Sequence, residues 1–161
     1  MFYPNARAII ERIINGKIEV VIQMRYEENK PGLYEFPGGK IEHCESFFDA
    51  LRREVKEETG LEIIKIAGEE NVIRCENPYF GIECFRPYAV YQTVNGKKDS
   101  LGAYFICAAV GELLIEGDHS KDIKWINLDQ FQSMLDTEGL FSGMDRAAAL
   151  LYLKEYNSCI V

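Results

Sequence analysis

Apolar residues gather in two short runs at 7–14 and 18–25, with Asn15-Gly16 between them. Asn-Gly between two such runs is a strong two-residue hairpin signal, so the runs predict a pair of antiparallel strands. Residues 26–32 are polar and read as a loop. Residues 33–36 form a short strand that runs into the glycine turn Pro37-Gly38-Gly39. The period then changes. From Ser46, which can cap a helix with Asp49 as capping-box partner, Phe47, Leu51 and Val55 form a stripe at helical spacing, and Gly60 stands where a helix C-cap belongs. Further on, residues 62–75 alternate with a break at Gly68-Glu69-Glu70. Residues 82–94 are strand-like, and Pro87 argues for an edge or a bulge there. A hairpin-type turn at 95–100 leads to an apolar run, 101–110, of central-strand character. A polar loop at 117–121 precedes a short strand at 123–126 that carries the only tryptophan, Trp125. Asn127 caps a helix over 128–136, and a last helix runs from Ser142 or Gly143 to about Tyr156. Strands mixed with three helices predict one α/β domain over 1–161, with helices covering a mixed central sheet.

The first helix carries the chemistry. Glu54, Glu57 and Glu58 stand at i, i+3 and i+4, so they share one side. Arg52, Arg53, Lys56 and Asp49 fall on the opposite side, whereas Glu54 and Glu58 continue the apolar stripe toward the helix C-terminus. On an exposed helix such like charges cost only about 0.2–0.5 kcal/mol. Facing inward, two carboxylates about 4 Å apart repel by roughly 4 kcal/mol at an effective dielectric of 20 and need a cation or protons. Three carboxylates in one turn suit a hard divalent cation such as Mg²⁺.

Composition narrows the partners. The chain has 161 residues, 47% of them hydrophobic, enough for one packed domain. A net charge of −8 disfavours nucleic acid as main partner, although metal ions can bridge an acidic protein to an anionic substrate. The five cysteines are odd in number, widely spaced and without a C-x-x-C, which argues for reduced thiols in a cytoplasmic protein. The N-terminal stretch lacks the basic region and long apolar run of a signal peptide, and no run approaches the roughly 20 residues that span a bilayer.

The stretch 39–61 resembles the Nudix box, the signature of the MutT-like pyrophosphohydrolases, G-x5-E-x7-R-E-U-x-E-E-x-G-U with U aliphatic. Gly39, Glu45, Arg53, Glu54, Val55, Glu57, Glu58, Gly60 and Leu61 meet it without a substitution. The approach, Tyr34 to Lys40, and the Asn-Gly hairpin fit the same family. The resemblance implies the Nudix fold, an α/β/α sandwich with a mixed sheet. It implies that Glu54, Glu57, Glu58 and the Gly39 carbonyl hold Mg²⁺ or Mn²⁺. Arg53 would orient a catalytic carboxylate, with Glu45 pairing to Arg53 as a structural residue. Arg25 and Lys40 are the expected substrate contacts. The implied reaction is hydrolysis of a nucleoside diphosphate linked to another moiety (a nucleoside triphosphate, ADP-ribose or a nucleotide sugar) by water attack at phosphorus. The general base would be a box glutamate or a later acid, Glu116, Asp118 or Asp122, with His119 a further candidate. Lys97 and Lys98 can clamp phosphate or be solvated, and Tyr79, Phe80 and Phe85 can stack on a base or pack in the core. Tyr152, Ala148 and Leu151 look like core or a homodimer surface. The alternative within the family is a nucleotide-sensing domain without catalysis.

Overall fold

The computed structural model describes residues 2–97 and 99–158. Strands β1 (Phe2–Ile14) and β2 (Lys17–Arg25) form the expected hairpin. Asn15 and Gly16 both take positive φ, as the tight turn demands. β3 (Leu33–Glu35) adds to β2, and β4 (Gly38–Lys40) adds to β1. Helix α1 (Phe47–Thr59) follows, then β5 (Glu62–Ile66), a one-turn 3-10 helix (Glu69–Asn71), β6 (Ile73–Glu76), β7 (Gly81–Cys84), β8 (Ala89–Gln92) and β9 (Asp99–Val110). β10 (Glu116–Gly117), β11 (Ser120–Asn127), α2 (Leu128–Asp136) and α3 (Gly143–Ser158) complete the order. The main sheet runs β10-β11-β2-β1-β9-β5, with β8 also beside β9, while β6 and β7 pair only with each other. β1 and β9 are parallel and the other pairs antiparallel, so the sheet is mixed.

Alternation along β1 divides the core in two. Ala6, Ala8 and Ile10 meet Phe48, Leu51 and Val55 of α1. The small alanines let the helix lie close to the sheet. Ile9 instead joins Phe36, Tyr104, Phe131, Tyr152 and Leu153, under α2 and α3. This is the expected α/β/α sandwich. Phe48, Leu51 and Val55 are almost wholly buried, each worth about 1.5–3 kcal/mol by the apolar surface it removes from water. Asn127 caps α2 through a full capping box with Gln130.

Several local expectations change. Ser46 does cap α1, but the Asp49 carboxylate accepts a hydrogen bond from the Ser46 hydroxyl at 2.7 Å and does not reach back to the backbone of Ser46. An aspartate is one methylene shorter than the glutamate that closes a capping box. The strand-like run 82–94 is two strands, β7 and β8, because Pro87 falls between them. The polar loop at 117–121 is the tip of a β10–β11 hairpin, with Gly117 opposite Ser120. Phe85 packs against Phe47, Phe48 and Phe105, whereas Tyr79 and Phe80 are exposed at the β6–β7 tip and belong to no core. Tyr152 and Ala148 are core, and Leu151 is partly exposed. Lys97 is exposed, and Lys98 and Cys159 lie outside the described residues. Cys44, Cys75, Cys84 and Cys107 are free thiols. Among the described residues no helix is long and apolar enough to cross a membrane.

Candidate active site

A cleft of about 400 Å³ opens where α1, β1, β4 and the start of α3 meet. Gly39, Glu54 and Glu58 line it, together with Arg25, Lys40, Arg7, Glu35, Asn5, Asp118 and His119. They come from β1, β2, β3, β4, α1 and the β10–β11 hairpin, so the fold brings distant parts of the chain together here.

Arg53 anchors the loop before α1. Its Nε and one Nη donate to the two oxygens of Glu45, both at 2.8 Å, and its other Nη donates to Glu54 at 2.7 Å. The structural pairing of Glu45 with Arg53 is therefore present. These partners, Glu45 first, hold the guanidinium firmly charged against the cost of its partial burial. Glu54 lies against the backbone of Gly39. A Cβ there would stand 2.5 Å from its carboxylate, so a larger residue would make Glu54 shift.

Glu58 is buried at 6% exposure. Its Oε2 accepts from the Gly38 N–H at 2.8 Å and from Gln23 Nε2 at 2.7 Å. Burial pushes its pKa up to about 7. The Glu35 charge adds to this, and the Gly38 N–H, Arg7 and Gln23 oppose it. A carboxylate so placed favours either a proton or a cation. Glu57 is set apart from the other two. Its side chain is half exposed, it meets Arg53 at 3.4 Å, and it does not line the cleft. Among the described residues no three acidic, histidine or cysteine side chains are gathered into a metal-sized group. The donor chemistry nevertheless fits a hard cation: two carboxylates, one of them desolvated, share the cleft with the Gly39 backbone.

The far end of α1 places the late acids. A helix leaves its last carbonyls without internal partners. Here Leu114 N–H donates to Thr59, Asp118 N–H to Glu57, and Ser120 Oγ to Glu58. The 114–120 segment is thereby fastened to the box helix, and Asp118 and His119 reach the cleft. Glu116 pairs with Lys121 at 3.4 Å. Asp122 sits at a bulge with φ 46° and turns to Lys124 at 2.6 Å and to the Tyr34 hydroxyl. Burial resists its ionisation, but Lys124 and Tyr34 hold its pKa below the usual carboxylate value. It does not line the cleft, so Asp118 and His119 are the late residues beside it.

The sequence did not disclose a buried polar chain on the α3 side of the sheet. Arg25 Nε donates to Glu35 at 3.0 Å, and Glu35 meets Arg7 at 3.5 Å. Arg7 meets Asp145 at 3.6 Å and donates to the Phe36 carbonyl at 2.9 Å. The Tyr104 hydroxyl donates to Asp145 at 2.5 Å. Burial works against the Arg7 charge, yet Asp145 and Glu35 outweigh it and hold the guanidinium above its usual pKa. Glu35 thus takes the Nε edge of Arg25, and Lys40 lies over the ring of Tyr3 at 5.8 Å. Only the pattern Tyr34 to Lys40 leading into the box could have flagged Glu35. Arg7, Tyr104 and Asp145 gave no local signal.

The NUDIX domain model matches residues 3–143. The chain is 49% identical over 55 residues to the CTP pyrophosphohydrolase of Escherichia coli (strain K12), a match over 34% of this chain and 38% of that protein. It is 35% identical over 54 residues to the 8-oxo-dGTP diphosphatase of Buchnera aphidicola subsp. Acyrthosiphon pisum, over 34% of this chain and 41% of that one. These alignments span less than half the length of the curated relatives. The solution structure of the E. coli ORF135 protein superposes with a TM-score of 0.65 at 21% identity, over 95% of this chain and 89% of that chain, and shares the fold. With the family model matched over most of its length and every position of the box in place, the chain belongs to the Nudix family.

Proposed function

We propose that the protein is a divalent-metal-dependent pyrophosphohydrolase that cleaves a nucleoside triphosphate between phosphoryl groups. The observation that carries this reading is the desolvated Glu58 beside Glu54 and Gly39 in one cleft with Arg25 and Lys40. Glu54, Glu58 and the Gly39 carbonyl would hold Mg²⁺ or Mn²⁺, and Glu57 would join them only by turning away from Arg53. Bound there, the metal would neutralise the pyrophosphate and lower the pKa of a coordinated water. Arg53 holds Glu54 in place, and Gln23 and the Gly38 N–H hold Glu58. Arg25 and Lys40 offer positive charge to the phosphates, with Arg25 aimed by Glu35. Asp118 or His119 would accept the proton of the attacking water at the mouth of the cleft. The relatives named for CTP and 8-oxo-dGTP favour triphosphates over ADP-ribose and nucleotide sugars.

The test is a Mg²⁺-supported turnover screen over CTP, 8-oxo-dGTP, the common triphosphates, ADP-ribose and nucleotide sugars, with EDTA as control. The expected result is EDTA-sensitive conversion of a triphosphate to a monophosphate and pyrophosphate. A folded protein that binds nucleotide and turns none over would overturn the reading and favour a nucleotide-sensing domain.

A further inference from the structure

The cleft has two sides, separated by β4. Glu54 and Glu58 lie on the α1 side. Tyr3, Asn5 and Arg7 project from the other face of β1, toward the start of α3, where Ser142 and Met144 also border the cleft. If the pyrophosphate sits at the carboxylates, as the proposed function has it, the part of the substrate that reaches this second side is the nucleoside.

Asn5 is unusual there. It is 8% exposed, lines the cleft, and its amide is oriented by its surroundings. Nδ2 donates to the Tyr3 carbonyl at 2.9 Å and to Ser100 Oγ at 2.9 Å. Ser100 Oγ in turn donates to the Tyr3 carbonyl at 3.1 Å and lies 3.1 Å from the Tyr91 hydroxyl. A carbonyl can only accept, so turning the amide over would set two acceptors face to face at hydrogen-bond distance. Nδ2 is thus committed to the protein. Oδ1 has no protein partner among the described residues, and it is not sealed from the cleft as a buried unsatisfied atom. The register supports the arrangement: β1 and β9 run parallel with Tyr3 opposite Ser100 and Asn5 opposite Gly102. Gly102 has no side chain, and a Cβ there would strike the Tyr91 ring at 2.5 Å. The ring can therefore close over that position and bring its hydroxyl to Ser100.

We infer that Asn5 is a specificity residue, whose fixed Oδ1 accepts a hydrogen bond from a donor on the substrate's nucleoside, an exocyclic base amine or a sugar hydroxyl. A rigid acceptor rewards such a donor and repels a keto oxygen in its place. This inference rests on the proposed hydrolase reading. Lys40, opposite Asn5 in the β1–β4 register, marks the boundary with the phosphate side.

The test compares kcat/KM within substrate pairs in which one member lacks an exocyclic amine or a sugar hydroxyl that the other carries: CTP with UTP, ATP with ITP, GTP with ITP, and CTP with dCTP. In the wild-type protein at least one pair should differ by about tenfold or more in favour of the donor-bearing member. The first three pairs report an amine and the last a hydroxyl. In Asn5→Ala that preference should fall to within about threefold. Ser100→Ala, which removes one of the two acceptors that orient Asn5, should weaken the preference partway and serves if Asn5→Ala does not fold. Wild-type protein with no preference in any pair, or a preference that survives in both folded variants, would overturn the assignment. Absence of all turnover would instead defeat the hydrolase reading.

Discussion

At the scale of single residues, Glu58 is the most informative side chain. Its pKa in the metal-free protein is about 7, against 4.5 for a free glutamate, because it is buried. The folded state then binds the proton more tightly than the unfolded one. The stability this contributes is complete below about pH 4.5 and is lost as pH rises through about 7, on the order of 3 kcal/mol in all. Glu58→Gln keeps the shape and removes the charge. Denaturant melts of the metal-free protein should show the variant gaining on wild type between about pH 5 and pH 8, and a constant difference would refute the buried charge. Arg53 gives a second prediction. Lysine cannot reproduce two bonds to Glu45 and one to Glu54 from a planar fork. Arg53→Lys should lower kcat about tenfold or more with a fall in Tm of only a few degrees, and unchanged kcat would show that Glu54 needs no holding. The box was legible at this scale because its residues have fixed spacing along one loop and one helix. Arg7, Glu35, Asp145 and Asn5 were not, because their partners are distant in the chain: Arg7 meets Glu35 and Asp145, and Asn5 meets Ser100.

Among elements, the decisive contact is the β10–β11 hairpin against the C-terminal end of α1. It satisfies the helix carbonyls and carries Asp118 and His119 to the cleft. Gly117 allows it, since a Cβ there would fall 1.9 Å from the Glu58 carbonyl oxygen. Backbone on both sides leaves no flexible side chain to yield. Gly117→Ala should cost about 1–3 kcal/mol of stability and displace the late loop. Calorimetry and kcat would both report it, and a variant of wild-type Tm and activity would mean that the hairpin is not held. The sequence showed a polar loop here, since a two-residue strand has too few positions to display a period. The β1–β2 hairpin and α2 were clearer, because Asn15-Gly16 and Asn127 announce their turn and cap locally.

Over the whole molecule, the mixed sheet divides the labour. One face, under α1, presents carboxylates, and the other, under α3, presents a polar chain and the oriented amide of Asn5. The strand and helix pattern had pointed to one α/β domain and composition to an acidic protein, and neither could show that two faces share a single cleft. A cation that binds only the folded state must stabilise all of it. At a hundredfold excess over Kd the gain is about 2.7 kcal/mol, or roughly 5–10 °C in Tm for a chain of this size. Mg²⁺ or Mn²⁺ should therefore raise the Tm of wild type and not of a Glu54→Gln, Glu58→Gln double variant. Equal shifts in both proteins would place the cation elsewhere.

The most direct test of the account is the steady-state rate of triphosphate hydrolysis as a function of Mg²⁺ for wild type and Glu58→Gln, each shown to be folded. Wild type should show saturable Mg²⁺ dependence and abolition by EDTA, and the variant a loss of about a hundredfold or more. Wild-type-like turnover by Glu58→Gln, or turnover indifferent to EDTA, would contradict it.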